Sequence, residues 1–135
     1  MCKSLISVNL DKCTHIDQYA FNGCTVLTTL TLKQPKDARI EIGQNAFAGC
    51  PLTGNINLGN VSTIGNGAFA AANKNNAKFI FSNTEELPVL KSTNAFPSNV
   101  NNNMWTIQFA NETIKAKAEN DKIWRQFKKR FIVAS

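Results

Sequence analysis

Few residues in this sequence could carry out covalent chemistry. Cys13 and His15 form the one close pairing of a nucleophile with a base, two positions apart. A catalytic pair of this kind needs hydrogen-bond contact and a third group that orients the base, and the sequence offers no such group. The adjacent carboxylates Glu85 and Glu86 precede a Leu-Pro pair, a context typical of a turn rather than of acid-base catalysis. We therefore expect no catalytic residues and no enzyme activity.

The four cysteines are the other chemically reactive side chains. None of them lies in a C-x-x-C pair, the spacing common among zinc ligands. The sequence also lacks a glycine-rich loop of the kind that binds phosphate groups. A free cysteine without neighbouring cations behaves as a small buried hydrophobe. We expect free structural thiols, no metal site and no cofactor.

An internal repeat explains the positions of these cysteines. An Ala-Phe pair occurs four times, and its phenylalanines recur after 26, 22 and 27 residues, at Phe21, Phe47, Phe69 and Phe96. An isoleucine lies five residues before each of the first three, and Cys24 and Cys50 lie three residues after the first two. Cys2 falls at the same position of an incomplete first unit, and Cys13 aligns with Val61. Each cysteine is therefore expected to point inward, into an apolar position.

Each unit continues into apolar residues two positions apart, separated by Thr or Asn, which predicts a short strand with one buried face. Such a unit buries its apolar face only when the next coil stacks on it, as in a solenoid. The predicted strands are residues 5–10, 27–32, 55–58, 78–81 and 106–109, and their last apolar residues are 22, 26, 23 and 28 apart. The phenylalanines and the last apolar residues of the strands thus independently indicate a repeat of about 22 to 28 residues.

The unit resembles the repeats of the BspA-like leucine-rich-repeat family, I-G-x-x-A-F-x-x-C followed by L-x-x-I-x-L. The similarity is nearly letter for letter over residues 42–50 and 64–69. The resemblance implies an α/β repeat solenoid: a leucine-rich-repeat-like right-handed superhelix of about four coils, with short parallel strands on one face and a C-terminal helical cap. We assign residues 1–110 to the solenoid, which starts mid-repeat, and residues 111–135 to the cap of the same domain.

Departures from the family pattern mark irregular positions. Asp17 stands where glycine is usual, Ala72 and Asn99 replace cysteine, and Lys91 stands where the fourth isoleucine is expected. The fourth unit is therefore predicted to be irregular. The Asn-rich residues 73–76 and 99–103 predict loops between coils, because asparagine tolerates turn conformations that other residues avoid.

The two ends of the chain differ. The first unit lacks its isoleucine and phenylalanine, so we expect a C-terminal piece of a longer protein, with upstream coils or a partner covering Leu5, Ile6 and Val8. The same open end predicts a route to end-to-end self-association. After Phe109 the spacing becomes helical, with candidate N-caps at Asn111 and Asn120. The apolar side of this cap comprises Ile114, Ala118, Ile123, Trp124, Phe127 and Phe131.

The net charge of +6 resides mainly in the cap. Residues 111–135 hold seven of the 15 basic and three of the nine acidic residues, which gives +4 and leaves +2 for the remainder. A cap whose apolar side faces the core turns its charges outward, and its aromatic rings are then not available to stack on bases. We do not expect nucleic acid as a partner. No apolar run reaches the length of a membrane span.

The candidate functional surface is the open face of the strands. Two outward rows cross the five predicted strands: Ser7, Thr29, Asn55, Lys78 and Thr106, and beside them Asn9, Thr31, Asn57, Ile80 and Gln108. These mostly small polar side chains predict a neutral, hydrogen-bonding face. We interpret it as a binding face for a protein; the alternatives are a glycan-binding module and a purely structural spacer of a larger protein. The resemblance implies a secreted or cell-surface protein that acts in adhesion.

Overall fold

A computed structural model describes residues 2–35, 37–98 and 104–135. This part of the chain contains two parallel sheets, which the chain visits alternately up to its ninth strand. The longer sheet comprises β1 Ser7–Asp11, β3 Thr29–Lys33, β5 Gly54–Gly59, β7 Ala77–Phe81, β9 Thr106–Phe109 and β10 Phe131–Val133, in that order. The shorter sheet comprises β2 His15–Ile16, β4 Ile40–Ile42, β6 Val61–Ile64 and β8 Val89–Leu90. The other elements are helix α1 Glu112–Glu119 and two 3-10 segments, Thr93–Ala95 and Trp124–Arg130.

The five strands predicted from apolar alternation are confirmed, and all of them lie in the longer sheet. The largest differences in boundaries are at the first two strands, predicted over residues 5–10 and 27–32 and observed at Ser7–Asp11 and Thr29–Lys33. Successive coils are in register, because Val8 lies opposite Leu30 and Leu10 opposite Leu32. The apolar residues of each strand therefore stack on those of the next coil, as a solenoid requires.

The expectation of strands on one face only is wrong, because the isoleucine segments form the second sheet. Ile16 pairs with Ile42, and Ile42 pairs with Ile64. These strands are two to four residues long, too short for an alternating pattern to stand out in the sequence. Each coil therefore contributes to two sheets, and the Ala-Phe turn follows the second. The handedness of the superhelix stays a prediction.

The fourth unit is irregular, but its isoleucine position is not held by Lys91. Leu90 takes that position, since it pairs with Ile64 and is buried. Lys91 follows it and donates its backbone N–H to the Ile64 oxygen at 3.0 Å. One extra residue therefore separates the apolar position from Phe96, and the 3-10 segment Thr93–Ala95 accommodates it. The prediction of Lys91 is wrong because the spacing to the phenylalanine is six residues in this unit instead of five.

The other departures from the repeat are accounted for where the structure describes them. Ala72 is buried and donates its N–H to the Phe69 oxygen at 3.1 Å, as the cysteine of other units does. The predicted loop over residues 73–76 is a turn in which the Asn73 side chain accepts from the Asn75 N–H at 2.9 Å. The expectations for Asn99 and for a loop over residues 99–103 lie outside the described residues.

A column of stacked phenylalanines forms the centre of the core. The ring centroids of Phe21 and Phe47 are 5.2 Å apart, those of Phe47 and Phe69 are 5.5 Å apart, and those of Phe69 and Phe96 are 6.0 Å apart. Backbone hydrogen bonds fix this stack: each of the first three phenylalanines donates its N–H to the alanine oxygen of the next Ala-Phe pair, at 2.7 to 3.0 Å. The Ala-Phe turn is thus repeated because each copy packs on the next.

Two glycines allow the coils to approach closely beside this turn. A Cβ at Gly43 would lie 2.6 Å from the Gln18 nitrogen, and a Cβ at Gly65 would lie 2.5 Å from the Gln44 nitrogen. These distances are shorter than real Cβ contacts. Asp17 is the equivalent residue of the first described coil, and its side chain is 78% exposed. A side chain is therefore tolerated at Asp17 because no earlier coil among the described residues packs against it.

The cap differs from the prediction in its second half. Asn111 caps α1 as expected, because its Oδ1 accepts from the Ile114 N–H at 2.9 Å. Asn120, however, ends α1, and the Asp121 carboxylate accepts from the first N–H groups of the next segment at 2.9 and 3.0 Å. Phe131 is not helical: it begins β10, which pairs with β9 and covers its edge. Within the described ranges, no helix has the length and apolar character needed to cross a membrane.

Candidate functional site

The structure places the ten predicted face residues together on the outer side of the longer sheet. All ten are exposed or half-buried, whereas the residue between the two rows is buried in every strand: Val8, Leu30, Ile56, Phe79 and Ile107. The strand register makes these residues cross-strand neighbours: Ser7 with Thr29, Asn9 with Thr31, Thr31 with Asn57, Asn55 with Lys78, Asn57 with Ile80, Lys78 with Thr106, and Ile80 with Gln108. Neighbours in a parallel sheet are about 4.8 Å apart, so the row from Asn9 to Gln108 is a continuous ladder. Their role in binding stays a prediction.

One residue outside the predicted set extends this face. Ile132 in β10 lies opposite Gln108 and is half-buried. The segment was assigned to a helix, although the apolar run from Phe131 to Val133 is equally compatible with a short strand. With Ile80, Ile132 makes the cap end of the face partly apolar, whereas the N-terminal end carries amides and hydroxyls.

The shorter sheet presents a second outward row that the sequence did not predict: His15, Glu41, Thr63 and Val89. Both ring nitrogens of His15 face carboxylates, with Nε2 at 2.7 Å from Asp17 Oδ1 and Nδ1 at 3.7 Å from Glu41 Oε1. The Cys13 thiol instead donates to the backbone oxygen of His15 at 3.5 Å. The imidazole is therefore not positioned to take a proton from this thiol.

The cysteines differ in exposure along the stack. Cys24 and Cys50 are buried, as expected, whereas Cys2 and Cys13 in the first coil are half-buried. Burial raises the pKa of the Cys24 thiol and raises that of Cys50 to about 11. Hydrogen bonds from the backbone of Leu5 and Ser4 lower the pKa of Cys2. All four thiols are free, and among the described residues no three His, Cys, Asp or Glu side chains converge to hold a metal ion.

The cap turns its basic side chains outward except at Arg130, for which the prediction was wrong. Arg130 is only 8% exposed, and burial lowers its pKa. Its guanidinium carbon lies 4.6 Å from the centroid of the Trp105 ring, and its Nη1 donates to the Trp105 oxygen at 3.3 Å. A planar, weakly hydrated guanidinium can be buried in this way on an aromatic face. Arg130 therefore stabilises the junction of cap and solenoid.

A cleft of about 820 Å³ lies between the last coils and the cap. Phe96 and Phe127 form part of its wall, and Asn94 contributes a polar group. Lys74 and Lys122 line it, and neither forms a salt bridge with a carboxylate of the described residues. Its volume is typical of ligand-binding pockets, about 300 to 1,000 Å³. No pattern in the sequence predicts this cleft, because one lysine lies in a loop and the other in the cap.

Short parallel strands that recur with each coil and stack in register define a repeat solenoid of the leucine-rich-repeat class. More specifically, the chain belongs to the BspA type leucine rich repeat family, which residues 1–119 match with six copies of the repeat. The resemblance seen in residues 42–50 and 64–69 is thereby confirmed, although the spacing predicts about four coils. No curated protein matches this chain. Repeats of this family commonly serve as protein-interaction modules.

Proposed function

We propose that this chain is a non-enzymatic module of a secreted or cell-surface protein, and that the outer face of its longer sheet binds a protein partner in adhesion. The observation that carries the proposal is the pair of in-register polar rows on that face. Family membership supports an interaction role and a location at a surface. The particular partner, adhesion and secretion are parts of the proposal.

The chemistry of the face favours a protein as the ligand. Amide and hydroxyl groups such as those of Asn9, Thr31 and Asn57 can hydrogen-bond to backbone and side-chain groups of a partner. Ile80 and Ile132 add apolar area at one end of the face, and protein interfaces combine an apolar centre with a polar rim. Because these side chains project from paired strands, little ordering of the backbone opposes binding.

Arginine substitutions in the centre of the face test this proposal. The unmodified chain is first screened against purified matrix and cell-surface proteins and against glycans. We expect Thr31→Arg combined with Asn57→Arg to weaken binding of the partner at least about tenfold, because two bulky charges replace small neutral groups at the centre of an interface. Surface plasmon resonance measures the change in Kd.

Thr63→Arg combined with Val89→Arg is the matched control, because it places the same two charges at neighbouring outward positions of the shorter sheet. It should leave the affinity unchanged. Unchanged binding by the variant with Thr31→Arg and Asn57→Arg would remove the longer sheet from consideration. Failure of the folded chain to bind any protein or glycan would favour the structural spacer.

An acidic glycan in the cleft between coils and cap is the second candidate. The sheet face carries few exposed aromatic residues of the kind that pack on sugar rings, whereas the cleft combines two lysines with the polar side chains of Thr93 and Asn94. The lysines can pair with carboxylate or sulfate groups, and the neutral side chains can hydrogen-bond to sugar hydroxyls. The cleft is therefore suited to a sulfated or uronate-containing oligosaccharide.

Charge reversal of the cleft lysines tests this second candidate. We expect Lys74→Glu with Lys122→Glu to weaken binding of such oligosaccharides at least about tenfold, because attraction becomes repulsion at both positions. Lys3→Glu with Lys129→Glu is the control, since it changes the net charge equally at exposed residues outside the cleft lining. Isothermal titration calorimetry gives both affinities. An equal loss in the two variants would mean that net charge, and not the cleft, attracts the glycan.

End-to-end self-association through the first coil stays a prediction. It is supported by Ile6, which is 62% exposed, and by Leu5, which is half-buried. Among the described strands β1 pairs only with β3, so its outer edge is open to another chain.

A further inference from the structure

Cys2 and Cys24 occupy equivalent positions in neighbouring coils. Each lies five residues before the start of its strand, and those strands begin at Ser7 and Thr29, which pair directly. The connecting backbone is also in register, since the Thr28 N–H donates to the Ile6 oxygen at 2.9 Å. Neighbouring parallel strands are about 4.8 Å apart, within the Cα separation of about 4.4 to 6.8 Å that a disulfide spans.

The two thiols interact and differ in reactivity. The register of the first two coils places them side by side, and each thiol influences the pKa of the other. Cys2 is half-buried, and backbone hydrogen bonds from Leu5 and Ser4 favour its thiolate. Cys24 is buried, and burial favours its protonated form. An accessible thiol with a lowered pKa beside a buried thiol is the arrangement of an attacking and a resolving cysteine.

We propose that Cys2 and Cys24 are a thiol-disulfide site, which a small disulfide such as oxidised glutathione converts to a covalent clamp between the first two coils. The Cys2 thiolate attacks one sulfur of oxidised glutathione, so that a Cys2–glutathione disulfide forms and one glutathione thiolate leaves. Cys24 loses its proton to water, and its sulfur then attacks the Cys2 sulfur and displaces the second glutathione thiolate. Two protein thiols are oxidised, and one oxidised glutathione is reduced to two thiols.

Cys50 holds the equivalent position of the next coil, beside Cys24, but neither it nor Cys13 is suited to the first attack. Cys50 is buried, its thiol donates to the Phe21 oxygen at 3.0 Å, and its pKa of about 11 leaves very little thiolate near neutral pH. Cys13 lies at a different position of the repeat, where its thiol donates to the His15 oxygen. The exchange should therefore select Cys2 and Cys24 from the four thiols.

Peptide mapping of the oxidised protein tests the proposal. The full chain is incubated with oxidised glutathione at pH 8, its remaining thiols are blocked with N-ethylmaleimide, and its disulfides are located by mass spectrometry. We expect a Cys2–Cys24 disulfide, with Cys13 and Cys50 alkylated after unfolding. In the Cys24→Ser variant the reaction should stop at the Cys2–glutathione disulfide. The Cys50→Ser variant should still form the Cys2–Cys24 disulfide.

The same experiment can overturn the proposal. A disulfide joining Cys24 to Cys50, a disulfide joining Cys2 to Cys13, a persistent glutathione adduct on the unmodified chain, or no reaction would each do so. The clamp closes a loop of about 20 residues, so the oxidised chain should unfold about 5 °C or more above the reduced chain. Equal midpoints would show that the disulfide does not hold the first coil.

Discussion

Replacing Phe69 with alanine is expected to lower the free energy of unfolding by about 4 kcal/mol. Phe69 is fully buried in the middle of the phenylalanine column, with its ring centroid 5.5 Å from Phe47 and 6.0 Å from Phe96. It also contacts Phe79 of the longer sheet, at 5.3 Å. The cavity cannot close easily, because backbone hydrogen bonds between coils fix the flanking rings. A loss of this size is a large fraction of the stability of a small domain.

Urea denaturation followed by tryptophan fluorescence measures this loss, because Trp105 and Trp124 are buried beside the same aromatic cluster. Phe21→Ala is the matched control. It removes the same side chain from the half-buried end of the column, where Phe47 supplies the one ring contact found among the described residues. We expect it to cost about 1 to 2 kcal/mol. Equal losses in the two variants would contradict a column that is tightly packed at its centre.

The repeat made much of this fold predictable from sequence. Phe47 and Leu30 recur at fixed positions of the unit because each must contact its equivalent in the neighbouring coil, so the spacing records the packing directly. The shorter sheet was missed because its strands contain as few as two residues, as at His15–Ile16. Leu90 was missed because the 3-10 segment adds a residue to the turn, which a fixed spacing cannot reveal.

The candidate sites were predictable to different degrees for the same reason. In-register parallel coils place each outward residue beside its equivalent, so Thr31 and Asn57 could be assigned to one face before their pairing was known. Features of the cap have no periodic signal. Arg130 was expected to be outward with the other basic residues, and its burial depends on Trp105, a residue of another segment. Lys74 and Lys122 likewise line one cleft only because the cap packs on the solenoid.

Gly65→Ala is expected to lower the free energy of unfolding by about 3 kcal/mol, although it adds only one methyl group. The new Cβ would lie 2.5 Å from the Gln44 nitrogen and 2.8 Å from the carbonyl carbon of Gly43. Both neighbours are backbone atoms, which cannot rotate away as a flexible side chain can. The coils must separate locally, and this weakens the hydrogen bond from the Gly65 N–H to the Ile42 oxygen, which is 2.8 Å long.

Gly54→Ala separates this effect from the ordinary cost of replacing a glycine. Gly54 has φ +67, but a Cβ there would meet nothing within 4 Å. Its replacement should therefore cost only the strain of a left-handed alanine, about 1 kcal/mol. Urea denaturation of both variants gives the comparison, and a loss at Gly65 no larger than that at Gly54 would contradict the close approach of the coils. The larger loss would also explain why glycine recurs at Gly43 and Gly65 while aspartate is tolerated at Asp17, where no described earlier coil presses on the turn.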